Sequence, residues 1–543
     1  MKLTDEQLAA IEFTGNLVIT ACPGSGKTTV MAEKIRNELD GLKRYQGVLA
    51  ITFTRKASKE LEQRCKQGGK DVAASFFGTI DAFCLSEIIF PFASHVFPVS
   101  LPNLEPKFKG DLSSEEQKLI ESVAEVEGRL CSGNFESYLP AFEQLLGMGC
   151  LFFESISYLA NYILNSSEAC RRYIRARYAT VYIDEYQDSS AIQHELFVSL
   201  LECGLQGVCV GDVQQSIYGW RDGSPKFIRE LIASPNFNHM TVSKNHRCHP
   251  SISNYANRLY DPTCALLEAD EITIYRCEVE GDEFDAASKL NIIIPQLVKK
   301  FAVINYSKVA VLARNNKGLK RLREKLTLPC MIYSDDALAL IESKNSLLWR
   351  ALLSYRFDMT QQANDLIVAY ALNLEGSRDR LKKLRLMVRR IREVPPEDLV
   401  LDLLQAAKSF YGSDGSEAEK AALAHVIGDP ELLSQYHPSG DHQIQCMTLH
   451  KSKGLEFDVV IHLDLVEWSL PYQELIGNPK EVYYPDIEQD LNLHYVGITR
   501  AKLACVLIST SLRINAKGFA SVAKQSCFLR LPGLENLYKV VRR

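Results

Sequence analysis

The stretch that decides the fold is NLVITACPGSGKTTV, residues 16–30. Residues 16–21 are mostly apolar and partly β-branched, the composition of a buried strand. They run into Cys22, Pro23, Gly24, Ser25 and Gly26, a turn of small residues, and then into Lys27, Thr28, Thr29 and Val30, which open a helix. A strand, a glycine turn and a helix N-terminus in that order aim several backbone N–H groups at one point, and such a point attracts phosphate. Lys27 is then predicted to reach the β- and γ-phosphates of ATP, and the Thr28 hydroxyl to ligate Mg²⁺. Ala21 stands where the strict pattern has its first glycine. The bland alternative is a structural turn, and the strand-then-helix context argues against it.

Similar apolar runs recur outward from this point: 47–54, 179–185, 207–212, 308–314, 446–450, 458–465 and 504–510. Each is followed by a longer helical pattern, which reads as parallel sheets covered on both faces. The fold class is therefore α/β. The runs fall into two groups, before residue 240 and after 300, so two lobes are expected, with the chain crossing between them near 244–250. The first lobe takes 1–84 and 179–243, with a mostly helical insertion at 85–178 that shows no strong strand. The second takes 244–334 and 441–543, interrupted by a helical insertion at 335–440. A length of 543 residues agrees with more than one core.

Composition sets limits. With 46% hydrophobic and 24% charged residues the chain is globular rather than disordered. Its net charge of −5 leaves no basic excess, so any nucleic acid must lie in a local groove. Fifteen scattered cysteines without a Cys-x-x-Cys pair argue against zinc or iron–sulfur sites and for a reducing interior. No signal peptide or long apolar span is legible, so a cytoplasmic protein without a membrane segment is expected.

The run VYIDEYQDSS, 181–190, ends a strand in two acids. Asp184 can hold Mg²⁺ through a water and Glu185 can polarise the attacking water; plain helix capping is the alternative. Asp-Glu-x-Gln-Asp after an upstream phosphate loop resembles the superfamily 1A DNA helicases typified by UvrD, Rep and PcrA. Further segments resemble that family in order: ITFTRKASKEL (51–61), FGTIDAFC (77–84), VGDVQQSIYGWRDG (210–223), KNHRCHP (244–250), VLARNN (311–316), TLHKSKGLEFDVV (448–460) and YVGITRAK (495–502).

The resemblance implies two RecA-like lobes closing on ATP·Mg²⁺, with DNA-stimulated hydrolysis and 3′→5′ movement on single-stranded DNA. It implies that Gln7 reads adenine, although Thr4-x-x-Gln7 is also a capping box. It makes Gln215 the γ-phosphate sensor, Arg247 and Arg500 the arginines that offset charge on the phosphoryl group, and Glu456 a contact to the nucleotide sugar. Phe53, Tyr218 and Trp220 are candidate stacking platforms for bases, with a core position the alternative for Phe53. Thr54, Arg55, Thr79, Arg221, His450 and Lys453 are candidate strand contacts.

Three departures stand out. His246 replaces the usual tyrosine on adenine, Asp81 replaces a histidine near the DNA, and QDLNLH before Tyr495 lacks the usual charged cluster. The insertion at 335–440 sits at the family's 2B position but is reduced, whereas 85–178 matches 1B. That compactness resembles the helicase subunit of Gabija-type antiphage systems and implies an OLD-type nuclease partner; a free-standing repair or replication helicase is the alternative. No fused nuclease domain is expected. The charge run 376–393 carries Leu381, Leu384, Val388 and Ile391 on one helical stripe. It reads either as a solvated face or as a helix that contacts DNA or a partner.

Overall fold

The run 16–21 does form a strand, β1 (Leu17–Ala21), and it lies inside a six-stranded sheet rather than at its edge. That position explains its largely apolar character, broken only at the partly buried Thr20. The other strands of this sheet are β2 (Gly47–Ile51), β3 (Phe76–Gly78), β6 (Tyr178–Ile183), β7 (Gln206–Gly211) and β8 (Asn238–Val242). Their order is β3-β2-β6-β7-β1-β8, and every pairing is parallel. The coordinates are a computed structural model that describes residues 3–72, 74–98, 103–127, 130–219, 223–371, 378–477, 481–515 and 518–542.

Between β3 and β6 the chain is mostly helical, but it also pairs β4 (Glu105–Lys107) with β5 (Cys150–Phe152) in a short parallel ladder. Three-residue strands of this kind leave no periodic signal in sequence.

The second sheet has the order β11-β12-β10-β13-β16-β9-β19, again parallel throughout. Its strands are β9 (Ile274–Val279), β10 (Val309–Ala313), β11 (Cys330–Tyr333), β12 (Ile444–Thr448), β13 (Phe457–His462), β16 (Ala501–Thr510) and β19 (Lys539–Arg542). All eight runs read from the sequence are strands. The five strands of the two sheets that were not read are β3, β8, β9, β11 and β19. Four of these are edge strands, whose exposed positions tolerate polar residues such as the Asn238–His239 pair of β8. Two hairpins stand apart from the sheets, β14 (Glu474–Ile476) with β15 (Glu481–Tyr483), and β17 (Leu512–Ile514) with β18 (Ala520–Val522). Mixed α/β lobes with parallel sheets are thus the observed class.

Residues 335–440 form a separate helical core around Trp349, which is fully buried and donates its Nε1–H to the Leu403 carbonyl at 2.8 Å. The charge run contributes the helix Arg378–Arg390, whose Leu384 and Val388 enter that core together with Ile391 beyond its end. Its cations are only partly free. Arg390 is ion-paired with the buried carboxylate of Asp402, and Arg392 donates to the carbonyls of Tyr355, Asp358 and Gln361. Arg390 nonetheless stays largely exposed, as do Lys382, Lys383, Arg385 and Arg389, so the helix keeps a cationic outer face. This insertion also reaches both neighbours: Lys344 pairs with Glu105, and Lys59 pairs with Asp365 at 2.8 Å. No helix among the described residues is long and apolar enough to cross a membrane.

Candidate functional site

The phosphate loop hangs between β1 and the helix α2 (Lys27–Leu39), with Gly26 at the helix N-cap. Gly24 and Gly26 have φ of +71° and +80°, which only glycine adopts freely. At Gly24 a Cβ would also fall 2.4 Å from Arg247 Cβ, so the crossing segment packs directly on the loop. The His246 N–H donates to the Gly24 carbonyl at 3.0 Å, and the Cys22 N–H to Val242 at 3.3 Å. Ser25 Oγ closes the turn onto the Cys22 carbonyl at 2.7 Å. Burial pushes the Cys22 thiol up to about 12, so it stays neutral. Lys27 Nζ rests 3.5 Å from the Ala21 carbonyl, and the Thr29 hydroxyl accepts from Arg64 at 3.3 Å.

Gln7 belongs to the helix α1 (Asp5–Glu12), where it forms the capping box and also touches the phosphate loop. Its Oε1 accepts from Thr4 N at 2.8 Å in a capping box, and its Nε2 donates to the Ser25 carbonyl at 2.9 Å. An amide has two donor hydrogens and two lone pairs, so one of each remains for a base edge.

From the other side of β1, β6 ends at Ile183 and delivers Asp184 and Glu185. Glu185 has φ of +53°, an uncommon conformation for a non-glycine residue and one that marks functional turns. Gln187 Nε2 donates to its carboxylate, and Gln187 Oε1 accepts from Asp212 N at 3.0 Å. The two carboxyls diverge in acidity. Burial, reinforced by the charge on Glu185, pushes Asp184 up; burial also opposes ionisation of Glu185, but Lys27 and Lys453 outweigh it and hold that carboxylate down.

The second lobe completes the cleft. Arg500 is 1% exposed, and its Nη2 donates to Gln215 Oε1 at 3.1 Å, while Gln215 Nε2 donates to Asp212 at 2.6 Å. Burial, with Arg247 nearby, lowers the Arg500 pKa to about 10, so it is still charged at neutral pH. Arg247 pairs with Glu456 at 2.6 Å, and Lys502 reaches the other Glu456 oxygen at 2.9 Å. Burial works against that carboxylate, yet Lys502 and Arg247 hold it below the usual range. The space so enclosed measures about 1000 Å³ and is lined by Gln7, Pro23, Lys27, Thr28, Asp184, Glu185, Gln215, His246, Arg247, Glu456 and Arg500, among others. Among the described residues, the buried His246 Nε2 meets no hydrogen-bond partner.

A nucleoside triphosphate with Mg²⁺ fits this donor set. Among the described residues no group of three or more His, Cys, Asp or Glu side chains is placed to cage a cation. Mg²⁺ needs no such cage, because it keeps waters and takes phosphate oxygens beside one or two protein groups, and Thr28 and Asp184 are the two that would serve.

The residues expected on the strand are brought together unevenly. Phe53 and Tyr218 stack on each other, centroids 5.5 Å apart and planes 9° from parallel, with Phe53 46% exposed rather than in the core. Thr54 and Thr79 cap the N-termini of the helix α3 (Arg55–Cys65) and of the helix Ile80–Phe83. Arg55 donates to the Ala369 carbonyl at 2.7 Å and lies over the Tyr370 ring, so the second insertion holds it. Burial, then Arg314 and Lys453, pushes the His450 pKa down to about 4, so it offers a neutral ring. Lys453 departs most from the open phosphate contact expected of it. Its ammonium pairs with buried Asp188, donates to the Gln215 carbonyl at 2.9 Å and lies 4.7 Å from the Tyr218 ring centre. Trp220 and Arg221 lie outside the described residues. Sequence reasoning gave no role to Lys502, Asp188, Gln187 or Asp212. Asp188 and Gln187 sat inside the quoted DEYQD run, Asp212 inside VGDVQQSIYGWRDG and Lys502 inside YVGITRAK, so proximity to motifs was the available signal.

A phosphate loop and paired acids on one parallel sheet, faced by arginines from a second, define a two-lobed P-loop ATPase. Residues 3–136 and 135–236 match the UvrD/REP helicase N-terminal domain, and residues 350–512 match the UvrD-like helicase C-terminal domain. The chain belongs to the UvrD/Rep family of ATP-dependent DNA helicases. Gabija protein GajB of Bacillus cereus (strain VD045) is 28% identical over 92% of this chain and 94% of its own length. Rep of Escherichia coli (strain K12) is 23% identical, covering 92% and 90%, and PcrA of Bacillus subtilis (strain 168) is 24% identical, covering 94% and 83%.

Proposed function

We propose that this protein hydrolyses ATP to move 3′→5′ along single-stranded DNA, and that it does so as the DNA-sensing subunit of an antiphage complex containing an OLD-type nuclease. The observation that carries the motor reading is the junction of the two lobes. Arg500 reaches Gln215 and Lys453 reaches Asp188, so groups from both sheets meet beside Glu185.

In this reading the division of the chain is the one drawn from sequence, with lobes 1–84/179–243 and 244–334/441–543. The phosphate loop and Lys27 hold the β- and γ-phosphates, and Thr28 and Asp184 carry Mg²⁺, which neutralises phosphate charge when bound. Glu185 takes the proton of the attacking water, and its lowered pKa keeps it ionised for that task. Gln215 orients that water. Arg500 and Arg247 meet the charge that spreads over the phosphoryl oxygens. Gln7 and His246 face the base. Loss of the γ-phosphate removes the anion that the two lobes share, which permits opening and a step along the strand. Phe53 and Tyr218 supply stacking that tolerates any base, as a stepping motor requires.

The complex is favoured by similarity to the Gabija protein over nearly the whole of both chains and by the compact second insertion. The free-standing reading rests on the similarity to Rep and PcrA. Glu185→Gln tests the motor directly. It should bind a fluorescent ATP analogue normally, hydrolyse nothing and fail to run along 5′-end-labelled strands. Turnover at the wild-type rate would remove Glu185 from its role. Phage plating with the same variant beside its neighbouring genes separates the readings, since a free-standing helicase predicts no change in protection.

A further inference from the structure

The helix α1 is fastened at both ends to the unit that holds phosphate. At its N-terminal end Gln7 joins Thr4 and Ser25, as described. At its C-terminal end Lys34, from the middle of α2, donates to the carbonyls of Ala10 at 3.1 Å, Ile11 at 3.4 Å and Phe13. Three ammonium hydrogens meet three carbonyl oxygens, so the cation is saturated, and it sits at the negative end of the α1 dipole. Lysine is seldom buried, yet Lys34 is 6% exposed. Burial lowers its pKa, and Glu38, one turn further along, opposes that. Glu38 in turn accepts from the Thr180 and Tyr182 hydroxyls of β6, both at 2.5 Å. One face of α2 therefore ties the base side of the cleft to the strand that carries Asp184.

We infer that Lys34 is a positioning residue for nucleotide-base selectivity, acting by fixing α1, and with it the Gln7 amide, against the phosphate loop. The inference rests on the reading of Gln7 as the adenine contact. An eight-residue helix is marginal by itself, so what holds its ends decides where it lies. Sites that read hydrogen-bond donors and acceptors discriminate strongly only while those groups are held in place. Lys34 touches neither the phosphate loop nor the acids, so its loss should act on base recognition and leave the chemical step alone.

The test measures kcat and KM for ATP and for GTP on DNA-saturated enzyme, with the thermal midpoint of each variant. Lys34→Met should raise the ATP KM about tenfold, keep kcat within about twofold and cut the ATP-over-GTP preference about tenfold, the pattern of lost ground-state binding. Lys34→Arg should restore most of the preference, because a guanidinium can donate to the same carbonyls. If Lys34→Met does not fold, Lys34→Gln, which keeps two donors without the charge, is held to the same criteria. An earlier melt with unchanged preference would make Lys34 structural and overturn the inference. Gln7→Ala separates the two failures. If it abolishes the preference while folded Lys34 variants keep it, base reading stands and the positioning role falls; if it leaves the preference intact, both fall.

Discussion

Replacing Arg500 with alanine is the sharpest probe of the cleft. The guanidinium donates to Gln215 Oε1, the Val496 and Leu455 carbonyls and the Thr499 hydroxyl. Each lost hydrogen bond costs about 1 kcal/mol of stability, offset in part because an expensive buried charge leaves with them. Folding should therefore weaken by only about 1–3 kcal/mol. The chemical step should suffer more. An arginine that meets phosphoryl charge contributes about 10³–10⁵ in kcat, or roughly 4–7 kcal/mol. Arg247 stays in the cleft beside Glu456, so the lower end, about 10³, is expected. Gln215 also loses the partner of its Oε1, so Gln215→Ala added to Arg500→Ala should cost far less than the sum of the single changes. Steady-state ATPase at saturating single-stranded DNA gives kcat, a fluorescent ATP analogue gives affinity, and a melt checks the fold. If affinity falls about tenfold while kcat stays within about threefold, Arg500 is a ground-state clamp and the reasoning is refuted.

Two further outcomes follow from the strand side. Tyr218→Ala should weaken single-stranded DNA binding about tenfold and reduce DNA stimulation of ATPase, since one stacked base contributes about 1–3 kcal/mol. Equal losses with and without DNA, together with an earlier melt, would make the Phe53–Tyr218 pair a packing contact only. Burial pushes the Asp81 carboxyl up to about 6, above its ordinary 3.8. The folded state thus holds a proton more tightly than the unfolded one. Ionised Asp81 destabilises fully above about pH 6, and the penalty fades as pH falls through 6 toward 4. Asp81→Asn should accordingly raise the melting temperature at pH 8, give no gain at pH 4, and tighten DNA binding at neutral pH; a gain independent of pH would exclude this origin.

Much of the α/β core was legible in the sequence because buried parallel strands must be continuously apolar, and eight such runs carry that mark. The phosphate loop was legible for a different reason. Its backbone conformation demands Gly24 and Gly26 at fixed spacing, and its chemistry demands Lys27 and Thr28 right after them, so the information is local. Asp184 and Glu185 shared this property, standing together at a strand end.

What the sequence could not hold is anything decided between distant segments. Lys453 reads as a strand-contacting cation inside the 448–460 segment, and only packing shows that Asp188, 265 positions away, takes its charge. Arg390 reads as one more cation in a basic run until the fold sets it against buried Asp402. Lys34 looks like an ordinary helical lysine, and its three carbonyl partners exist only because α1 ends beside α2. A side chain's type and its neighbours in sequence determine what it can donate or accept. The tertiary structure alone determines which partner it meets and how much water is removed around the pair, and those two quantities set whether a charge binds ligand, carries chemistry or holds the fold together.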